Sequence, residues 1–224
     1  MQITQSKTLQ DWTLFEKWWL AISTTVMIGL SIVWKDSFIS LISGITGIIG
    51  VVLCAKGKIS TYYFSIINVA LYAFLCFQNR LYGEVMLNAL YFIPMNILGF
   101  FMWKKQGNDN GTVQARSLTA KQFLLMSVGL VVAICLYYQL LLKLGGNLQL
   151  VDSITTVTSV VAIILQVLRY KEQWTLWIVI NFVSVIMWTM LLRTGEGSIT
   201  MIIMWSAYLI NSIYGYVNWK KLEG

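Results

Sequence analysis

Trp174, Trp177 and Asn181 stand at i, i+3 and i+7 inside a long apolar run. At about 100° per residue, these three project onto one face of a helix. The two indoles supply flat π faces and N–H donors, and an amide one turn deeper supplies a donor and an acceptor. Such a set stacks on a flat ring and hydrogen-bonds its substituents, which is binding chemistry rather than bond breaking. Trp174 and Trp177 fit equally an interfacial aromatic belt beside Lys171 and Glu172. Asn181 is harder to place in a belt, because an amide at membrane depth needs a partner, either a ligand or another helix.

Little else in the chain could do chemistry. It has no His, and no Asp, Glu, Lys or Arg falls in the middle of an apolar run; Glu84 and Asp152 stand at the starts of two. No Ser-His-Asp, Cys-His or paired-carboxylate set is available, so an enzyme is not expected. Proton relays, ion-coupling sites and voltage sensors normally rest on ionisable groups inside the membrane. A passive carrier or channel therefore fits better than a pump, with sodium coupling through carbonyls and hydroxyls left open. Cys54, Cys76 and Cys135 are odd in number and lie in apolar runs. They suggest neither a disulfide framework nor metal spacing, and read as small packing residues. No metal or cofactor is expected.

The elements that must hold these residues are membrane helices. Apolar residues make up 58% and charged residues 11%, against about 25% charge in soluble domains, and the mean hydropathy is +0.71. Eight runs approach the ~20 residues that cross a bilayer: 18–34, 37–55, 59–79, 84–103, 122–142, 150–168, 173–192 and 198–219. The first is short and parted from the second only by Lys35-Asp36, and Met1 to Lys17 lacks the pattern of a removable signal peptide. The expected fold is an all-α integral membrane protein of eight transmembrane helices.

Residues 37–105 are echoed by 150–221. Lys56 matches Arg169, Lys58 matches Lys171, Asn68 matches Asn181 and Arg80 matches Arg193, all 113 positions apart; Gly99 to Lys105 matches Gly215 to Lys221 at 116. Each echo holds three spans and one more span separates them, so both triplets enter the membrane in the same direction. The expectation is a parallel 3+1+3 pseudo-symmetric core: an N-terminal tail and extra helix in 1–36, a first repeat in 37–105, a loop and linker helix in 106–149, and a second repeat with the C-terminal tail in 150–224. Parallel repeats of this kind mark transporters, with substrate held between the halves near the midplane.

In this register Thr61, Phe64 and Asn68 take the places of Trp174, Trp177 and Asn181. Two Asn residues would then bracket a central substrate, and the unequal aromatics would favour one orientation. In the eighth span Tyr208, Asn211 and Gly215 share a face, matching Phe92, Met95 and Gly99 in the fourth, where Asn88, Tyr91 and Asn96 add polar groups. Each of these could line a pore or bond a neighbouring helix. Thr155, Thr158, Ser159 and Gln166 in the sixth span could line it too, though Ser and Thr often bond their own helix backbone. Pro94, the one proline, should kink the fourth span. Gly44, Gly47 and Gly50 suit close helix packing, and the Gly-rich loop 106–120 reads as a flexible connector.

Charge sets the orientation. One side of an eight-span chain would hold Lys7, Lys17, Lys56, Lys58, Lys104, Lys105, Arg116, Lys121, Arg169, Lys171, Lys220 and Lys221; the other would hold Lys35, Arg80, Lys143 and Arg193. Twelve against four places both termini in the cytoplasm. The net charge of +7 is spread over loops, so it reflects topology and not nucleic-acid binding.

Trp174-x-x-Trp177-x-x-x-Asn181 resembles the W-x-x-W-x-x-x-N/D motif of the PnuC vitamin transporters, and the stretch from Asp152-Ser153-Ile154-Thr155-Thr156 to Gln173-Trp174 is similar to that family as well. The resemblance covers roughly 37–221, with one extra N-terminal helix. It implies a fold akin to the SWEET sugar carriers, although the proline-glutamine signature repeated in many SWEETs is missing. It also implies facilitated diffusion of nicotinamide riboside, with thiamine or riboflavin carried by relatives. A homotrimer in the bacterial inner membrane, and trapping of the substrate by a cytoplasmic kinase, follow from the same resemblance. Nicotinamide riboside is a pyridinium cation with a polar sugar. Trp faces attract cations by roughly 0.5–2 kcal/mol, and Asn amides suit the carboxamide and hydroxyls. Thiamine, also a cationic aromatic, fits the same logic; a non-transporting receptor or scaffold is the reading from another class.

Overall fold

The computed structural model describes residues 12–34, 37–78, 85–108, 110–144, 149–193 and 199–223. Among them are eight helices: α1 (Leu14–Trp34), α2 (Phe38–Ala55), α3 (Thr61–Gln78), α4 (a π-helical stretch, Leu87–Phe92, running into Ile93–Lys104), α5 (Ala120–Leu144), α6 (Gln149–Val167), α7 (Gln173–Arg193) and α8 (Ile199–Lys221). Helices α2, α3, α5, α6 and α7 are long and apolar enough to cross a membrane by length and composition. Lys7, Lys35, Asp36, Arg80 and Glu84 lie outside the described residues.

Within the first triplet α3 packs on both α2 and α4, and within the second α7 packs on both α6 and α8. Two seams join the triplets, α2 on α8 and α4 on α6. These seams exchange under a twofold axis, as a parallel repeat requires. The remaining helices follow the same symmetry: α1 packs on α2, and α5 on α6. Each also starts with the same reciprocal capping box. Thr13 and Glu16 exchange backbone-to-side-chain bonds at 2.7 and 3.2 Å, and Thr119 and Gln122 do so at 3.0 and 3.3 Å. The N-terminal helix and the linker helix are thus counterparts in space. Helix α5 has no buried residue, so apart from its contact with α6 its apolar surface is left open.

The backbone corrects the register of the repeat by one residue. Helix α2 ends where Gly57 N–H bonds Cys54 O and Lys58 N–H bonds Leu53 O; helix α6 ends where Arg169 N–H bonds Gln166 O and Tyr170 N–H bonds Leu165 O. Gly57 and Arg169 both take left-handed backbone, φ +66° and +64°, the conformation that closes a helix. The structural offset here is 112, so Tyr62, Ser65 and Val69, not Thr61, Phe64 and Asn68, match Trp174, Trp177 and Asn181. Matching charges at Lys56/Arg169 and Lys58/Lys171 suggested the other alignment, but those side chains sit in a turn whose geometry is set by backbone bonds.

The long loop is a strap rather than a flexible connector. Ile59 N–H bonds Gly111 O and Val113 N–H bonds Gly57 O, which ties it to the α2–α3 turn. Arg116 N–H bonds Arg169 O and Lys171 N–H bonds Arg116 O, which ties it to the equivalent α6–α7 turn; Ala115 N–H bonds Leu222 O at the C-terminus. Val113 and Ala115 are buried against Cys54, Ala55, Tyr62, Trp103, Trp174 and Trp219. The Gly and Asn content served turn geometry, while the alternating Val113 and Ala115 anchored the loop.

The best-packed core is therefore at this basic end of the bundle. Trp103 and Trp219 are fully buried, 5.7 Å apart between ring centres. Trp103 Nε1 donates to Gln166 O of the other half at 3.0 Å, and Trp219 Nε1 donates to Cys54 O at 2.9 Å. Each half caps the last turn of the other half's first helix.

Candidate substrate-binding cavity

A cavity of about 300 Å³ lies between the two halves, at the lower end of the ~300–1,000 Å³ of small-molecule sites. Eight of the ten residues singled out in the sequence line it: Trp174, Trp177, Asn181, Asn68, Asn88, Asn96, Tyr208 and Asn211. Phe64 and Tyr91 are not part of the lining. Phe64 occupies the register position of buried Leu176, which the corrected offset explains. Tyr91 lies next to Phe92 but turns away, and its hydroxyl donates to Val160 O of α6 at 2.7 Å. Thr155 and Ser159 bond carbonyls of their own helix and also stay out of the lining.

Helix α7 presents Trp174 to the cavity because α8 lacks a side chain opposite it. A Cβ built on Gly215 would sit 2.7 Å from three atoms of the Trp174 ring. The indole is only 3% exposed and meets Trp219 edge-on at 6.1 Å. It is a buried wall, not a belt residue. The first half has the same device with another outcome: Gly99 accommodates Tyr62, but Tyr62 packs on Trp103 at 5.0 Å and does not line the cavity.

The two Asn residues do not mirror each other. Asn68 donates to Ser43 O of α2 at 2.7 Å. Asn181 turns to α8 and donates to Ser212 Oγ at 2.8 Å, while Ser212 donates to Tyr208 O at 2.8 Å. Because the Ser212 proton is spent on that carbonyl, Asn181 must face it with its NH₂ group, and its carbonyl oxygen is what it can offer a ligand. Asn181 is thus an interhelical bond and a cavity wall at once.

Helix α4 presents Asn88, Phe92 and Asn96 together. Residues eight apart drift about 80° around a straight α-helix. The wider π turn takes back part of that drift. It runs into Pro94, which brings no N–H of its own; Ile93 N–H reaches five residues back to Asn88 O, and Asn96 Nδ2 donates to Phe92 O at 2.8 Å. The expected kink takes the form of this π stretch.

Trp205 was missed, although Trp205, Tyr208 and Ser212 repeat the i, i+3, i+7 spacing of the motif in α7. Its ring meets Tyr208 edge-on at 5.9 Å and it lines the same cavity. Three buried polar atoms on lining residues have no partner among the described residues: Trp174 Nε1, Trp205 Nε1 and Asn211 Oδ1. Such orphans cost about 1–3 kcal/mol each unless something else bonds them. Among the described residues, no Asp, Glu, Lys or Arg lines the cavity. The arrangement suits a flat polar molecule with both donors and acceptors.

The family model for nicotinamide mononucleotide transporters matches residues 37–221. The chain belongs to the nicotinamide mononucleotide transporter family. Relatives in it include the nicotinamide riboside transporter PnuC of Neisseria mucosa, 40% identical over 94% of this chain and 82% of that protein, and that of Haemophilus influenzae, 39% identical over 96% and 93%. PnuC of Escherichia coli is 30% identical over 69% of this chain. A crystal structure of the vitamin B3 transporter PnuC superposes with a TM-score of 0.78 at 41% identity, covering 94% of this chain and 92% of that one. Membership in this family makes the chain a multi-pass membrane transporter.

Proposed function

We propose that the protein carries nicotinamide riboside down its own gradient through the central cavity. The supporting observation is the lining: indole faces and unpartnered N–H and C=O groups with, among the described residues, no Asp, Glu, Lys or Arg. A pyridinium ring stacks on Trp174 and Trp177, the ribose hydroxyls accept from the indole N–H groups, and the carboxamide donates to Asn oxygens. A mononucleotide adds a phosphate, which would be desolvated here with no Lys or Arg among the described lining residues to pair it, at a cost of several kcal/mol. The riboside is therefore favoured over its phosphate.

The same reading extends to topology and energetics. The chain sits in the bacterial inner membrane with both termini and the strap in the cytoplasm, in line with the positive charge gathered at that end. It assembles as a homotrimer, and net uptake depends on phosphorylation of the substrate by a cytoplasmic kinase. The test is flux into proteoliposomes at zero membrane potential. Radiolabelled nicotinamide riboside should exchange rapidly and equilibrate, thiamine and the mononucleotide should compete poorly, and an imposed proton or sodium gradient should add nothing. Net accumulation under an ion gradient would overturn the facilitator reading; preferred competition by thiamine would overturn the substrate.

A further inference from the structure

A second cavity, of about 370 Å³, lies between α1, α2 and α8. Its origin is in how α1 is held. At the basic end α1 is clamped to α8 and to the end of α2: Phe15 meets Tyr214 at a tilt with ring centres 4.8 Å apart, and Glu16 accepts from Tyr214 at 2.7 Å and from Lys56 at 2.6 Å. Beyond that clamp α1 follows α2, where Met27 lies over Gly44, and leaves α8 unsupported. The space runs alongside α1 from Trp19 to Leu30, roughly 16 Å at 1.5 Å per residue. That is about half of the ~30 Å hydrocarbon core, which suits one chain and not a whole lipid.

The walls are aliphatic along almost their whole length, with Ile22, Val26, Ile48, Val52, Ile203 and Ile210 among them. Ile22, Val26, Ile203 and Ile210 are also exposed, so the mouth opens onto hydrocarbon. Water has too few polar partners to fill such a space. Val51, Tyr208 and Asn211 line this cavity and the central one alike; the partition between the two is a single layer of side chains.

We propose that this lateral cavity binds one acyl chain of a membrane lipid, and that the chain, by backing Tyr208 and Asn211, sets the affinity of the central site. The second clause rests on the proposed function; the first does not. The occupant is a lipid because the mouth is apolar, the depth is that of a single chain, and the surrounding medium supplies it.

The experiment reconstitutes the full-length protein in vesicles of phosphatidylcholine that carries a diazirine on one acyl chain. After illumination, peptides are mapped by mass spectrometry. Label is expected on residues facing the cavity, within 19–30 or 202–210. It should fall to background in Ser23→Trp and in Ile203→Trp, two variants on different helices that fill the space without touching the central site. Replacing straight chains by methyl-branched chains should shift the dissociation constant for nicotinamide riboside by about fivefold, the low end of site-to-site coupling, and should not shift it in Ser23→Trp. Label spread evenly over the lipid-facing helices, or unchanged in both variants, would overturn the site. Disulfide cross-linking of Ile203→Cys between copies would also overturn it, because the groove would then be a subunit contact. Clean labelling with no effect of chain branching would overturn the coupling. A failure of nicotinamide riboside to bind at all would appear only in the titration and leave the labelling result standing.

Discussion

Gly215→Ala drives a methyl group into Trp174. The added Cβ would lie 2.7 Å from Cδ2, Cε2 and Cε3 of the indole, whereas carbon atoms rest about 3.5–4.0 Å apart. The ring must withdraw by about 1 Å, or α8 must back away from α7. Trp219 blocks retreat along one edge at 6.1 Å between centres, so the open direction is into the cavity. Overpacking of this kind costs about 1–3 kcal/mol. Where the ring yields into the site, the cost falls on the ligand, as roughly 5- to 150-fold weaker binding. Gly99→Ala is the internal control. Its Cβ would lie 2.5 Å from Tyr62, which does not line the cavity, so stability should fall while the folded protein keeps its affinity. Titration of both purified variants with nicotinamide riboside, alongside their thermal unfolding, separates the two effects. Equal loss of affinity in both would refute the reasoning, because Trp174 would then matter only as packing.

Other outcomes follow from named contacts. Asn181→Leu should abolish binding with insertion and assembly intact, whereas Ser212→Ala, which removes the Asn181 anchor of 2.8 Å together with the bond from Ser212 to Tyr208 O, should weaken titrated binding about fivefold, near 1 kcal/mol; equal effects would mean that Asn181 acts only through Ser212. Glu16→Gln strips a buried ion pair of its carboxylate and should destabilise the protein by about 3 kcal/mol, read as a lower unfolding temperature in detergent; an unchanged temperature would show that the clamp carries no stability. Lys171 is held above its ordinary 10.5, chiefly by the bond to Glu223 at 2.6 Å. A raised lysine contributes in full below that value and loses its contribution as pH climbs above it. Glu223→Gln should therefore lower stability by less than about 1 kcal/mol at pH 7, and as pH rises from neutral the gap from wild type should close only above pH 10.5; a gap that closes between about pH 7 and pH 10 would contradict the assignment.

Helix count and approximate limits were legible because each span is a long apolar run bounded by polar turns, and the deep Asn residues stood out because amides are rare in such runs. What stayed hidden is what single residues decide by geometry. The one-residue register error came from trusting Lys and Arg in a turn; Gly57, the residue suited to left-handed backbone, was the better landmark, but its counterpart is Arg169, which hides the match. Phe64 fell out of the lining for that reason. Tyr91 left it because a π stretch shifts which side chains face inward, and nothing in a string of residues distinguishes a π turn from a kink beside Pro94. Trp205 was legible in principle, since its spacing to Tyr208 and Ser212 copies that of Trp174 to Trp177 and Asn181. The strap was misread because its anchors, Val113 and Ala115, are two small apolar residues in an otherwise polar loop.

The indole bonds at the basic end have a further consequence. Trp103 reaches Gln166 O and Trp219 reaches Cys54 O, so each half gives to the other the bond that it receives. That reciprocity is the defining property of an isologous contact between two identical subunits. The two halves still meet as a dimer would, with one interaction written twice in a single chain. A movement that parts them symmetrically breaks both bonds at once. A single substitution at either Trp removes one of the two bonds and leaves its twin in place. Loosening one side of the contact is therefore a different perturbation from loosening both, and the contact is fully relaxed only in the double variant.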